Sequence, residues 1–236
     1  MRIRLRERRP ETADVMSFIF DLGGQSYEYL PGQFAFLELD ELAFPDERGK
    51  RRHFTISSSP TEKDILMFTI RMRGSGFKET LRNAPLGYEV TVETPRGRFV
   101  LPEVEGRRHI FLAGGIGITP FRSILRNAAD RNAPIQALML YFSRSAADLI
   151  FRRELEGIAG QMPTFSLVPV LSEPEPDWRG EQGEFSERLL RRYVPDLEPC
   201  LFWISGSPPM VAALKDLIRQ IGIPEESLHT DSFTGY

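Results

Sequence analysis

Two glycine-rich turns carry the clearest chemical signal in this chain. In FLAGGIGITPFRSIL, residues 111–125, an apolar run ends at Gly114 and Gly115. A third glycine follows at Gly117, and Thr119-Pro120 opens a helical pattern. Glycines bare their backbone N–H groups to a close ligand, a threonine can cap a helix, and a proline suits its first turn. The positive end of that helix would face the turn, which favours a phosphate. A tight strand-to-helix turn also needs glycine for steric reasons alone, so a purely structural reading stands beside the functional one. The spacing is not G-x-G-x-x-G, and no acidic residue near 135 offers itself to a ribose as in that fingerprint.

A second turn repeats the logic in ISGSPPMV, residues 204–211. Gly206 loosens the turn, Ser207 can cap, and Pro208-Pro209 starts a helix that contains Met210. A third strand end, YFSRS, offers the hydroxyl of Ser143 and the fixed charge of Arg144 to a ribose phosphate. An idle surface arginine is the alternative there. Upstream, RHFTISSS opens with Arg52 on an otherwise strand-like run. Arg52 is either a solvated edge residue or the partner of an anion lying over the strand.

These groups need elements to hold them, and the pattern of elements changes near residue 106. Before it, short alternating bursts (Phe18 and Phe20, Phe34 and Phe36, ILMFTIR at 65–71, Val90 and Val92, Phe99 and Leu101) are punctuated by Gly and Pro. That pattern predicts many short strands in a small antiparallel barrel or sandwich. After it, strands at 110–113, 137–142, 165–171 and 201–204 alternate with helices at 120–129, about 147–158, 184–193 and one carrying Met210, Leu214, Ile218 and Ile221. Strand–helix alternation predicts a parallel sheet covered by helices. The expected organisation is two-domain, an antiparallel β-barrel over 1–105 followed by an α/β parallel-sheet nucleotide-binding domain over 106–236.

Composition narrows the rest. With 41% hydrophobic and 27% charged residues the chain is an ordinary globular protein, and a net charge of −3 gives no pull toward nucleic acid. No apolar run approaches the roughly 20 residues that a membrane span needs. MRIRLRER lacks the apolar core of a signal peptide, and Cys200 is the only cysteine. A cytoplasmic protein without disulfides or cysteine-ligated metal is expected.

RHFT, GGIGITP, SGSPPM and the terminal DSFTGY, in that order and spacing, resemble the ferredoxin–NADP reductase superfamily over essentially the whole chain. With a single cysteine, the resemblance implies a stand-alone member without an iron–sulfur domain. It also implies a flavin-binding barrel ahead of a nicotinamide-nucleotide domain, with FAD more in keeping than FMN and NADPH or NADH as co-substrate. Arg52 then meets flavin phosphate, His53 accompanies it, Phe54 lies against the ring system in place of the family's usual tyrosine, and Thr55 approaches N5. Strict strand alternation sets Arg52 and Phe54 on one face and Thr55 on the other, a tension that only a bend or a strand end relieves.

The segment TIRMRGSGFKETL, residues 69–81, supplies Thr69, Ile70, Arg71, Gly76, Phe77 and Lys78 to the pyrophosphate end. Lys78 stands where relatives carry a hydroxyl. The resemblance puts Gly114, Gly115, Gly117, Thr119 and Pro120 at the nicotinamide pyrophosphate. Ser205 takes the family's cysteine position beside the reacting nicotinamide. Of two terminal rings, Phe233 and Tyr236, Tyr236 is favoured as the flavin cover. Asp231 stands where relatives often have Glu, as a proton relay or an anchor of the tail. Ser143-Arg144 leans toward NADPH. The implied activity is hydride transfer from NAD(P)H to flavin, then single electrons to a separate protein such as ferredoxin. A flavin or ferric-chelate reductase, or a non-catalytic flavoprotein sensor or subunit, is the alternative.

Overall fold

The computed structural model describes residues 1–102 and 106–233. Its first half is a six-stranded antiparallel sheet of β1 (Arg2–Pro10), β2 (Val15–Asp21), β3 (Phe34–Glu38), β4 (Arg51–Thr55), β5 (Ile65–Arg71) and β6 (Glu89–Val92), with helix α1 (Gly76–Asn83) between the last two. The strand order is β4-β3-β6-β1-β2-β5. Its two edge strands meet where Ile56, just past β4, bridges Phe68 of β5, and the Ser57 amide donates to Met67. That closure makes the sheet a barrel and removes its edges. Alternation drives the fold, as in β1, where Ile3 and Leu5 point into a core with Phe18, Phe20, Leu37 and Phe68 while the arginines between them face water.

The second half is a parallel sheet. After β7 (Arg108–Gly114) come α2 (Thr119–Asp130), β8 (Ala137–Ser143), α3 (Arg152–Gln161), β9 (Phe165–Leu171) and the two-residue β10 (Glu181–Gln182). Then follow α4 (Glu187–Tyr193), β11 (Cys200–Gly206), α5 (Pro208–Gln220) and β12 (Leu228–Ser232). The order β10-β9-β8-β7-β11-β12 runs outward from β7 in both directions. The switch point therefore lies between β7 and β11, where open α/β sheets bind ligands at their carboxyl ends. Helices α4 and α5 cover one face through Leu190, Leu214 and Ile218. Helices α2 and α3 cover the other, and that core continues without a break into the barrel through Val15, Ile19, Met67 and Phe99.

Several expected boundaries moved. Phe99 and Leu101 form no strand. Phe99 instead turns edge-on to Phe121 and Trp203 in the core shared by the two halves. The helix expected from about 147 starts at Arg152, because Phe151 takes a left-handed φ of 59° and interrupts it. Strand β12 went unread, since LHTDS is too polar to signal a strand beside β11. Among the described residues no helix is long and apolar enough to cross a membrane.

Candidate functional site

One cleft collects most of the residues singled out from the barrel. A volume of about 860 Å³, counted out to its mouth, is bounded by Arg52, His53, Phe54 and Thr55 of β4 and by Thr69, Ile70 and Arg71 of β5. Lys78 of α1 closes one end, and Ile116, Thr119 and Phe233 come across from the second half. The period-two tension in RHFT resolves at the strand end. Thr55 closes β4, and from Thr55 to Ser59 every residue is buried, because this stretch is covered by the barrel on one side and by α2 on the other. Phe54 stays half-buried, its ring 5.9 Å from Phe77, and so offers a flat apolar surface to the cleft.

The pyrophosphate end departs from expectation. Gly76 and Phe77 do not line the cleft. The Phe77 side chain is fully buried in the barrel core, and only its amide faces outward, donating to Asp46 at 2.9 Å. Arg52 is no solvated edge residue either, since it is 8% exposed and paired with Asp46. Sequence reasoning missed Asp46, Arg48 and Ser75, all at this end. Ser75 was findable, because a serine directly before a helical run is a cap, and its hydroxyl does accept from the Lys78 amide at 3.4 Å. Burial, then repulsion from Arg48, Arg52 and Arg71, holds the Lys78 ammonium below its ordinary range. That surplus of positive charge fits a phosphate-bearing ligand, and Phe54 fits the ring it carries.

At the switch point the two glycine turns press against each other. A Cβ on Gly117 would lie 2.1 Å from the Ser205 carbonyl oxygen, and one on Gly114 would lie 2.0 Å from the Met210 sulfur. The steric reading of these glycines is therefore satisfied by the fold itself, whatever they also do for a ligand. Thr119 does not cap α2. A 3-10 turn over Gly115–Ile118 precedes the helix, Ile118 takes the cap position, and the Thr119 hydroxyl donates inward to the Ile116 carbonyl at 3.1 Å. Ser207 holds the cap position of α5 without a side-chain bond, while Pro120 and Pro208 fall in first turns as expected. Ser205 is fully buried, and among the described residues its hydroxyl has no hydrogen-bond partner. An orphaned hydroxyl beside this turn fits a polar group of a bound nucleotide. Replacing Gly117 by Ala is expected to cost about 2 kcal/mol or more, because backbone on β11 must give way. Thermal melting would show it, against Gly157→Ala inside helix α3, which meets nothing within 4 Å and should gain up to about 1 kcal/mol.

Ser143 ends β8, and Arg144 follows with its side chain 69% exposed, 3.5 Å from Asp148. Neither reaches the cleft described above. Phe233 lines that cleft, and its amide donates to the Gly206 carbonyl at 3.0 Å, whereas Tyr236 lies outside the described residues.

Comparison with known proteins finds two family matches. Residues 2–101 match the oxidoreductase FAD-binding domain family, and residues 111–216 match the oxidoreductase NAD-binding domain family. The chain is 31% identical over 230 residues to the glycine betaine monooxygenase reductase subunit of Chromohalobacter salexigens, covering 94% of this chain and 61% of that protein. It is 27% identical to the anthranilate 1,2-dioxygenase electron transfer component of Acinetobacter baylyi, covering 87% of this chain and 58% of that one. The crystal structure of an Amycolatopsis cytochrome P450 reductase superposes with a TM-score of 0.82 at 24% identity, over 99% of this chain and 70% of its own. The chain thus spans about three fifths of the length of the curated relatives it matches.

Proposed function

Because the chain belongs to the ferredoxin–NADP reductase superfamily, we propose that it is the flavin- and nicotinamide-binding part of an FAD-dependent NAD(P)H oxidoreductase that passes electrons to a separate protein. One observation carries the reading. Phe54 and Thr55 from the barrel and Ile116, Thr119 and Phe233 from the parallel-sheet half converge on one cleft, beside the switch-point turns. FAD held there would supply the chemistry of hydride acceptance and one-electron release, so no protein nucleophile is required.

The chain's own groups then bind, orient and exclude water. Arg71 and Lys78 give the cleft its charge for phosphate, with His53 at its rim. Thr69 and Ile70 form the wall between them. Phe54 would pack against the ring system, and the Thr55 hydroxyl would face it from the strand end. Phe233 takes the covering role in this proposal, and its position on the chain just after β12 allows it to swing aside for the nicotinamide. Gly114, Gly115, Gly117, Pro120, Gly206, Pro208 and Met210 shape the nucleotide's path. Ser205 offers its unspent hydroxyl near the nicotinamide.

The acceptor is proposed to be a ferredoxin or the oxygenase component of a system like those named for the relatives. The lone cysteine, buried and unpaired, suits the reducing cytoplasm. Purified protein loaded with FAD should bleach rapidly on mixing with NADH or NADPH in a stopped-flow instrument. Flavin that stays oxidised with both would overturn the reading.

Coenzyme choice is assigned to Arg144, whose exposed guanidinium suits a 2′-phosphate that NADH lacks. Arg144→Ala is expected to raise the KM for NADPH about tenfold, the value of roughly one charge-assisted contact, and to leave that for NADH within twofold. Equal effects on both coenzymes would remove Arg144 from this role.

A further inference from the structure

The cationic end of the cleft already holds an anion, and it belongs to the chain. Asp46 lies on the loop between β3 and β4, with its side chain 6% exposed. One carboxylate oxygen accepts from Arg52 Nη2 at 2.5 Å and from the Arg48 amide at 3.0 Å. The other accepts from the Ser75 hydroxyl at 2.7 Å and the Phe77 amide at 2.9 Å. Burial pushes this carboxyl up, but those bonds and the Arg52 charge overcome it and hold the pKa down to about 2. Arg52 Nη1 is held as well, bonded to the carbonyls of Arg48, Gly49 and Arg51 where the loop enters β4. The backbone follows the carboxylate inward, since a Cβ on Gly76 would lie 2.1 Å from the Pro45 carbonyl oxygen. The arginine, the serine and the amide that would receive a flavin phosphate are therefore all engaged by one aspartate.

We propose that Asp46 is a displaceable internal anion, which closes the phosphate seat formed by Arg52, Ser75 and the Phe77 amide and must be lifted away before a phosphate-bearing flavin can take Arg52. The proposal rests on the reading of the cleft as the flavin site. Its logic is competition between two anions for one buried guanidinium and the donors around it. The FMN phosphate monoester carries more charge than a carboxylate, and the FAD pyrophosphate brings two charges and more acceptor oxygens, so either can win, but it does so against an opponent already in place. The ring-binding end at Phe54 and Thr55 lies outside this competition. Flavin affinity should then depend on Asp46 only through the phosphate.

Titration of apoprotein with FAD, FMN and riboflavin, followed by flavin fluorescence, tests this on wild type and on Asp46→Asn. The variant should bind FAD and FMN at least tenfold more tightly and riboflavin, which has no phosphate, within twofold of wild type. Hydrogen exchange on the unaltered chain gives a second reading that does not depend on a variant's folding. Amides over 44–49 should exchange faster with FAD bound and at an unchanged rate with riboflavin bound. FAD affinity unchanged or weakened in Asp46→Asn, or a loop that stays equally protected with FAD, would overturn the internal-anion proposal while leaving the flavin cleft standing. Absence of binding by all three flavins to wild type would overturn the cleft reading and this proposal together.

Discussion

Arg122→Leu is expected to lower stability by about 3 kcal/mol and to slow flavin reduction by nicotinamide at least tenfold. Arg122 sits on α2, yet its guanidinium, 5% exposed, reaches into the barrel. Nη1 donates to the Ser57 carbonyl at 2.9 Å, Nη2 to Glu62 at 2.9 Å, and Nε to Glu154 of α3 at 3.1 Å. Beside it, the Ser123 hydroxyl donates to the Ser58 carbonyl at 2.6 Å. These bonds tie the strand end that carries Thr55 to the helix that begins at Thr119, so they set the spacing between the two halves of the cleft. Burial works against the charge, but the two carboxylates outweigh it and hold the guanidinium pKa above its ordinary value.

Removing the arginine strands Glu62 and Glu154 beside each other at the seam. Both side chains keep about a quarter of their surface in water, which trims the cost below that of a fully buried pair. At two to four degrees per kcal/mol for a chain of this size, the melting temperature should fall by roughly 6–12 °C. Arg122→Lys keeps the charge but loses the fork, and about half the effect should return. The difference should persist in high salt, since buried pairs are little screened. An unchanged melting temperature would mean that the seam is held by its apolar core, through Phe99 and Phe121, without help from the arginine.

That seam also marks where the sequence stops being informative. Strand–helix alternation after residue 106 was legible because β7 and β8 are buried on both faces and read as unbroken apolar runs. Strand β12 was illegible because Leu228–Ser232 is an edge with one wet face, and its place is decided by pairing with β11. The cleft residues of β4 and β5 followed from their family-like order. Arg122, Glu62 and Asp46 did not, because their ion pairs, Asp46 with Arg52 and Glu62 with Arg122, join residues 6 and 60 apart that no local period records. Which part of Phe77 faces the site was hidden for a related reason. The helix supplies its amide to the site while its ring is taken by the barrel core, and a linear motif does not separate the two.

Asp231→Asn should stabilise the protein at neutral pH and leave it unchanged near pH 4. Asp231 borders a second cleft at the seam, against Phe34, Arg98 and Phe99, and burial alone raises its pKa to about 6. Between pH 4 and 6 the unfolded chain has released this proton while the folded chain retains it. Folding stability therefore falls as pH rises through that window, by about 1.4 kcal/mol per unit. Above pH 6 the penalty is complete, at roughly 2–3 kcal/mol, and the uncharged amide escapes it. His109 slopes the other way. Its Nδ1 accepts the Trp203 indole proton at 3.1 Å, so it must be neutral, and burial, followed by repulsion from His229 and Arg107, lowers its pKa to about 4. The unfolded chain binds that proton first, and stability rises with pH between about 4 and 6.5.

In the wild type the Asp231 slope opposes that of His109, and His53 and His229, both lowered chiefly by burial, add to the His109 side. The substitution removes the opposing slope, so the variant's stability should climb more steeply with pH than the wild type's. Chemical denaturation at pH 4, 5, 6 and 7.5 would show the two curves starting together and separating by roughly 2–3 kcal/mol. Parallel curves would mean that Asp231 is ionised in the fold throughout, with a cation close enough to offset its burial, and the seam would then carry a charge pair in place of a buried acid.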